Sequence, residues 1–422
     1  ELEKEIKAQT LSDGFCYESS MNYQTLTSEI YILAYVIGSR SVRFSQEYRD
    51  RLEAMLRLSQ AFLKPDGTLP NFGDGDSGRI LIFDGVDKPD PEKLLDIGAL
   101  ALNLPDLRTS TEKPPFDSLQ LLGSNVLRPS ERLRCGIEQP KVSQLCRESG
   151  LATLRKDDLY LFFGANPIGS GGVGGHKHND MLTIDISCGK TNFIVDSGTY
   201  TYTSNSTIRN RFRSTGFHSV PAVKNIEQNR FIPRILFAIR PDADVKVKRW
   251  ESNERYDIVE AEHSAYTRLP EPLLILRSIY FDKINDFWVF KDSFCGHGSF
   301  DFQSNLILGD VTAEIRDNDR IKLSSKFDDT VLEIISFSTG WSGEIIPHEI
   351  SPHYGMKKEG AKITLSYNGK APIDMIWAAI PSRAGQDTSD RTVAADRVTH
   401  ELGWKEAECQ EPISGLALSR DS

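Results

Sequence analysis

Cysteine is scarce in this chain: there are six in 422 residues, at 16, 135, 146, 188, 295 and 409, and none form a CxxC pair. That spacing excludes a disulfide framework and a cysteine-built zinc site. Long apolar runs are also absent, and no stretch nears the 18 or so consecutive apolar residues of a membrane-spanning helix. A basic excess is missing as well. The formal net charge is -10, which excludes general nucleic-acid binding, because a phosphate backbone needs a broad basic stripe. Any anionic ligand must therefore be met by local groups. There is no internal repeat, no low-complexity tract and no tyrosine between Tyr48 and Tyr160. The chain opens at Glu1 without a methionine, and a helical pattern starts at once in Leu2, Ile6 and Leu11. The expectation is that the natural start has been removed, and any targeting signal with it. What remains is ordinary globular material, 39% apolar and 26% charged, long enough for two or three domains with their own cores.

Residues 1 to 103 read as helices joined by turns. Leu26, Ile30, Leu33 and Ile37 keep a helical spacing, as do Tyr48, Leu52, Met55, Leu56, Phe62 and Leu63. Pro65-Asp66-Gly67 stops the second run, and a further helix is predicted across Pro91 to Leu102 with proline in its first turn. Four or so helices form either a small bundle or the last part of a longer helical domain. Residues 104 to 148, rich in proline and charge and without a sustained period, read as a connector. From 149 to 422 the period changes to two. Short apolar runs recur at 160–163, 245–247, 273–281, 288–290, 331–337, 363–367 and 373–379, with turn signals between them. The reading is a large antiparallel β-sandwich, so the fold class is α+β multidomain, helices first and sheets second.

The chemistry concentrates at Gly171-Gly172-Val173-Gly174-Gly175-His176-Lys177-His178-Asn179-Asp180, where flexible glycines empty into two alternating histidines and an acid. The segment leads into a predicted hairpin: Leu182 to Ser187 alternate, Gly189-Lys190 turn, and Asn192 to Asp196 return. Beyond it come Tyr200, Tyr202, the run Arg209, Arg211 and Arg213, and His218.

These residues resemble a family. GGHKHNDMLTIDI, FIVDSGTYTY and RNRFRSTGFHSV are similar to the C-terminal half of the heparinase II/III polysaccharide lyases. DGFCYESSMNYQTLTSEI, LPNFGDGDSGR and SPHYGMKKEG agree in the same order, so the likeness spans nearly the whole chain. It implies a partial (α/α) toroid, here without its first helices, packed on an antiparallel β-sandwich. It also implies cleavage of an acidic, uronate-containing polysaccharide by β-elimination between the two domains. A secreted or periplasmic home is expected from that substrate.

Elimination across C4 and C5 of a uronate needs its carboxylate neutralised, a base for the C5 proton and an acid for the departing O4. Histidine suits the base and tyrosine suits either transfer, while asparagine, histidine or arginine can hold the carboxylate. The resemblance places the catalytic histidine at His176 and the carboxylate-binding amide at Asn22, with Glu18 and Tyr23 beside it. Asn22 would otherwise serve as a helix N-cap. The resemblance further implies a metal ion, usually zinc and here structural, held by His178, Asp196 and His218. Simple pairing about the Gly189-Lys190 turn sets Asp196 opposite Thr183, on the order of 15 Å along the strand from His178. The glycine loop would have to fold back for these ligands to meet.

The family's tyrosine is expected in the helical domain some fifty residues after the amide, and that segment here reads FGDGDSGR. Tyr200 or Tyr202 would take over its role, or Asp74 or Asp76 would contribute. Asp74 is read as a turn residue at the cleft and, with Arg211 or Arg213, as a substrate contact. Two rival readings stand beside the lyase. A cupin-like metalloenzyme also puts His-x-His after glycines, but it expects a glutamate where Leu182 and Thr183 stand. A non-catalytic polysaccharide-binding or exopolysaccharide-assembly protein fits the missing tyrosine.

Overall fold

The computed structural model describes residues 1–83, 85, 90–109, 115–124, 142–317 and 319–405. Among the described residues, five α-helices come first: α1 Leu2–Gln9, α2 Met21–Gly38, α3 Gln46–Phe62, α4 Pro91–Leu102 and α5 Phe116–Leu122. Their ends follow from side-chain chemistry. Ser20 and Ser45 cap α2 and α3 by accepting from the N–H three residues on, and Asp90 does the same ahead of Pro91. Asn103 closes α4 in the left-handed conformation. Tyr48, Leu52, Met55 and Leu56 of α3 are buried against Ile32, Leu95 and Ile97 in one apolar cluster.

Two antiparallel sheets follow. The first holds nine strands, β1 Gln144–Cys146, β2 Leu151–Lys156, β3 Leu159–Gly164, β4 Thr183–Cys188, β5 Thr191–Val195, β6 Pro221–Val223, β11 Ser299–Leu308, β15 Ser342–His353 and β16 Met356–Lys370. The second holds eight strands, in the spatial order β12 Val311–Asp317, β13 Arg320–Ser325, β14 Thr330–Ser336, β17 Ile373–Arg383, β10 Phe287–Gly296, β9 Leu273–Asp282, β8 Tyr256–His263 and β7 Val245–Ser252. The core lies between them, with Ile184, Ile186, Phe290, Trp377 and Leu306 all fully or nearly fully buried. The alternation of β4 sends Ile184 and Ile186 into this core and leaves Thr183, Asp185 and Ser187 on the opposite face.

That opposite face receives the helices. Phe15, Phe62 and Phe72 pack with Tyr160, Leu151 and Phe162, and Phe72 stacks on Phe162 at 5.1 Å. Polar tips tie the same seam: the Tyr160 hydroxyl donates to the Phe62 carbonyl at 3.0 Å. The helical part is thereby held on the nine-stranded sheet.

Each of the apolar runs read as a strand falls in a strand, with only Phe337 beyond the end of its own. Three local features differ from expectation. The segment read as a connector carries a 3₁₀ turn at Pro105–Leu107, α5, and the strand β1; an element of two turns or three residues is too short to establish a period. Among its described residues the β-rich half contains two further α-helices, α6 Ser206–Phe212 and α7 Ser389–Glu401. The hairpin forms at the expected turn, but a bulge between Ile186 and Ser187 shifts its register by one residue.

Candidate active site

The glycine-histidine segment meets the helical part at one crossing. The Asp74 N–H donates to the His176 carbonyl at 2.9 Å, and the Gly73 N–H donates to the Asp180 carboxylate at 3.2 Å. Gly73 has φ +69°, and a Cβ there would lie 2.8 Å from the Ser19 carbonyl oxygen and 3.0 Å from that of His176, so only glycine lets the two backbones approach. At the other end of the loop, the Ser170 N–H bonds to the Tyr17 carbonyl at 2.8 Å. These contacts fold the loop back onto the start of α2.

Asp74 is the hub. Its side chain is fully buried and takes two hydrogen bonds from the Arg209 guanidinium, one from His176 Nδ1 at 3.1 Å and one from His178 Nε2 at 2.8 Å. Burial alone would raise its pKa, but the two imidazole hydrogen bonds and the Arg209 charge outweigh this and hold it well below the usual carboxylate range. An ionised carboxylate only accepts. His176 therefore carries its proton on Nδ1 and His178 on Nε2, and the free lone pair is Nε2 of the first and Nδ1 of the second.

His176 is one-fifth exposed and Nε2 lies 3.8 Å from a Glu18 carboxylate oxygen. Its ring stacks on Tyr23 with centroids 3.8 Å apart, and Phe237 and Tyr202 stand at 5.9 and 6.5 Å. The Tyr23 and Tyr202 hydroxyls are 3.3 Å apart, and Tyr23 also donates to Asp76 at 3.3 Å. Burial raises both phenols' pKa, so each remains protonated near neutrality. Asn22 is the second residue of α2, not its cap, and donates one amide N–H to Asn71 at 2.8 Å.

Two expected tyrosines thus part company. Tyr202 joins the cluster, whereas Tyr200 packs on Phe212 at 5.8 Å with Lys357 over its ring, and none of its contacts reaches His176. The arginines need correction too. Arg211 is exposed and pairs with Glu349. Arg213 is buried, bonding to the Ala238 and Ile235 carbonyls. The arginine in the site is Arg209, its guanidinium 5.0 Å from the Tyr202 ring centre. On the short helix α6, Arg209 and Arg213 are four apart and both face inward, while Arg211 faces out. That spacing was visible in the sequence, but not which of the inward pair meets a carboxylate. Asp74, expected as a substrate contact, is likewise buried and enclosed by protein donors.

The residues expected to hold a metal show a related exchange. Ligand atoms of His178, Asp180 and His218 lie within 4.8 Å of one another, and all three residues are buried. Asp196 stands behind them, accepting from His218 Nδ1 at 2.7 Å, and its charge raises the His218 pKa against the effect of burial. His178 Nδ1 and His218 Nε2 are buried with no hydrogen-bond partner. Two buried imidazole nitrogens without a hydrogen-bond partner, near a carboxylate that also accepts from Lys177 and the Gly73 N–H, form a group that could hold a metal ion. Of the expected set, His178 and His218 belong to this group with Asp180, whereas Asp196 stands outside it, bonded to His218. The roughly 15 Å along the strand that separated Asp196 from His178 is met by a nearer acid.

A cavity of about 340 Å³ opens on the seam between helices and sheet, with Asn22, Gly75 and Tyr354 on one wall. His176 does not line it; the Tyr202 ring stands 6.5 Å from that of His176 and 5.0 Å from that of Tyr354.

Residues 138–404 match the C-terminal domain described as heparinase II/III-like, and residues 1–82 match the heparinase II/III N-terminus. The chain belongs to the heparinase II/III-like family. A comparison with curated protein sequences finds no match. Among solved structures, heparan sulfate lyase HepC from Pedobacter heparinus is 19% identical with a TM-score of 0.70, over 92% of this chain and 55% of that one. The heparinase III BT4657 gene product gives 17% and 0.71 over 92% and 55%. A structure of heparinase III gives 16% and 0.69 over 92% and 57%. This heparinase II/III-like chain therefore spans about half the length of the structures it resembles, and it shares their fold. No helix among the described residues is long and apolar enough to cross a membrane.

Proposed function

We propose that this chain is a polysaccharide lyase, cleaving a uronate-containing polymer by β-elimination in the groove between helices and sheets. The observation that carries the reading is His176: one nitrogen bound to Asp74, the other free beside two phenolic hydroxyls, in a ring that solvent reaches. Nε2 takes the C5 proton, the C5–H electrons form the C4=C5 double bond, and the C4–O4 bond breaks. The O4 leaving group takes a proton from Tyr202 or Tyr23, which burial keeps in the acid form. Glu18 and Asp74 stabilise the imidazolium that results. The second N–H of Asn22 is the donor offered to the uronate carboxylate. Zinc or a similar cation on His178, His218 and Asp180 would pin the loop that aims His176. The acidic polymer substrate implies a secreted or periplasmic protein.

One observation favours a second reading, a polysaccharide-binding or exopolysaccharide-assembly protein that does not cut. Arg209 is engaged by Asp74, and neither Arg211 nor Arg213 is available to the uronate. Incubation with a panel of uronate polymers separates the two. The lyase generates a double bond conjugated to the carboxylate, whose ultraviolet absorbance grows with time, and the signal disappears in His176→Ala. A wild-type protein that binds every polymer and yields no absorbance overturns the lyase.

A further inference from the structure

A second stretch of chain, residues 227–240, runs beside the catalytic segment in the opposite direction and is irregular apart from one bridge between Phe231 and Ile239. Gln228 exchanges two hydrogen bonds with the Met181 backbone, at 2.9 and 3.0 Å. Asn229 and Asn179 share three more, from 2.9 to 3.2 Å. At the far end the Ile239 N–H donates to the Val173 carbonyl at 3.1 Å. Gly174, with φ +62°, meets this strap directly: a Cβ there would lie 2.5 Å from the Ile239 side chain.

Two arginines hold the middle of the strap. Arg213 is buried and donates to the Asn210 side-chain oxygen at 2.9 Å and to the Ala238 and Ile235 carbonyls at 3.1 and 3.3 Å, with the Phe231 ring centre 4.5 Å away. Arg209 adds the Leu236 carbonyl at 3.4 Å. These Arg213 acceptors are neutral, and burial pushes its pKa down to about 10, so an ion pair does not explain its place. What it does is fix the backbone on both sides of Phe237. That ring stands T-shaped to His176 at 5.9 Å and to Tyr202 at 5.2 Å, while Tyr23 stacks on the same imidazole. An imidazole held through one nitrogen can still swing about that hydrogen bond, and rings packed against it remove the freedom.

We infer that Arg213 and Phe237 are positioning residues for His176: Arg213 fixes the carbonyls around Phe237, and Phe237 keeps the imidazole on Tyr23 with Nε2 directed at the substrate. This rests on the lyase reading for the role of Nε2, but the confinement of the ring can be read without turnover. Histidine-selective nitrogen–proton correlation spectra, with His176 assigned from the His176→Ala variant, show a single Nδ1–H tautomer for His176 in the parent. Phe237→Ala mixes the tautomers, Phe237→Tyr returns the single form, and the His178 signals stay as in the parent. In turnover, Phe237→Ala lowers kcat by about 10–100-fold with KM within about threefold of the parent, and Phe237→Tyr recovers most of the rate. Arg213→Lys keeps the charge but not the reach to two carbonyls, and it behaves as Phe237→Ala does. Phe237 is 37% exposed, so its variants decide the matter alone if Arg213→Lys does not fold. A KM that rises while kcat holds makes Phe237 a sugar contact and overturns the inference, as does a His176 spectrum unchanged in Phe237→Ala. If the spectrum changes as stated while wild-type protein never forms a double bond, the positioning stands and the lyase falls.

Discussion

His176 and His178 stand two residues apart and hold the same carboxylate, yet they face opposite surroundings. The first gives Asp74 its Nδ1 and leaves Nε2 3.8 Å from Glu18, on a ring that is one-fifth exposed. The second gives Asp74 its Nε2 and leaves Nδ1 buried beside His218 and Asp180. The fixed nitrogen decides the chemistry of the other. An accessible lone pair can take a proton from a substrate, whereas a buried pair facing a carboxylate suits a cation.

The largest effect should come from the shared partner. Asp74→Ala leaves the Arg209 guanidinium buried without its counter-charge and frees both imidazoles, so urea unfolding should show a loss of about 3–5 kcal/mol. Any lyase activity should vanish with it; a variant as stable as the parent would refute the hub. His176→Ala should split the pair, lowering the rate of double-bond formation by about 10²–10⁴-fold while the melting temperature stays put. A coupled fall in melting temperature would mean that the ring is structural.

His178→Ala tests the buried half. Metal analysis should find bound metal in the parent and none in the variant, and a chelator should lower the parent's melting temperature but not the variant's. Activity should drop about 10–100-fold with His176 untouched, as for a lost supporting shell. A metal content equal to the parent's would reject the His178, Asp180 and His218 set.

A smaller, pH-dependent effect belongs to the seam. Burial pushes the Asp185 carboxyl up to about 6, against an ordinary value near 4. The folded protein therefore binds a proton more readily than the unfolded chain, and this contribution is full below about pH 4 and lost as pH rises through 6. The stability of wild type relative to Asp185→Asn should thus decline from pH 4 to 7 in urea titrations. A flat or rising difference would contradict the burial. Least of all, Arg211→Ala removes a surface pair and should change stability by under about 1 kcal/mol and leave activity unaltered; a large loss of activity would return Arg211 to the site.

Much of the architecture was legible because period-two runs such as Leu273 to Phe281 and helical runs such as Tyr48 to Leu63 state which face is buried. Short elements such as α5 and β1 were not, since two turns or three residues hold no period. The site was half legible. His176, Tyr23 and Tyr202, named among the candidates, lie side by side, and the glycines advertised a loop able to fold back. Arg209, however, lay hidden among three equally spaced arginines, and Asp180, noted as the acid closing the segment, was given no part beside His178 and His218.

Residue order alone determined that helices precede a sandwich, that a pliant loop ends in two imidazoles and that suitable acids and phenols exist. Tertiary structure decided which carboxylate each imidazole meets. That choice depends on the crossing of Gly73 and Asp74 with the His176 backbone, made by segments a hundred residues apart and set by apolar packing of Phe72 on Phe162. Local spacing carries no information about such a distance, because the free energy that closes it comes from burial elsewhere in the chain.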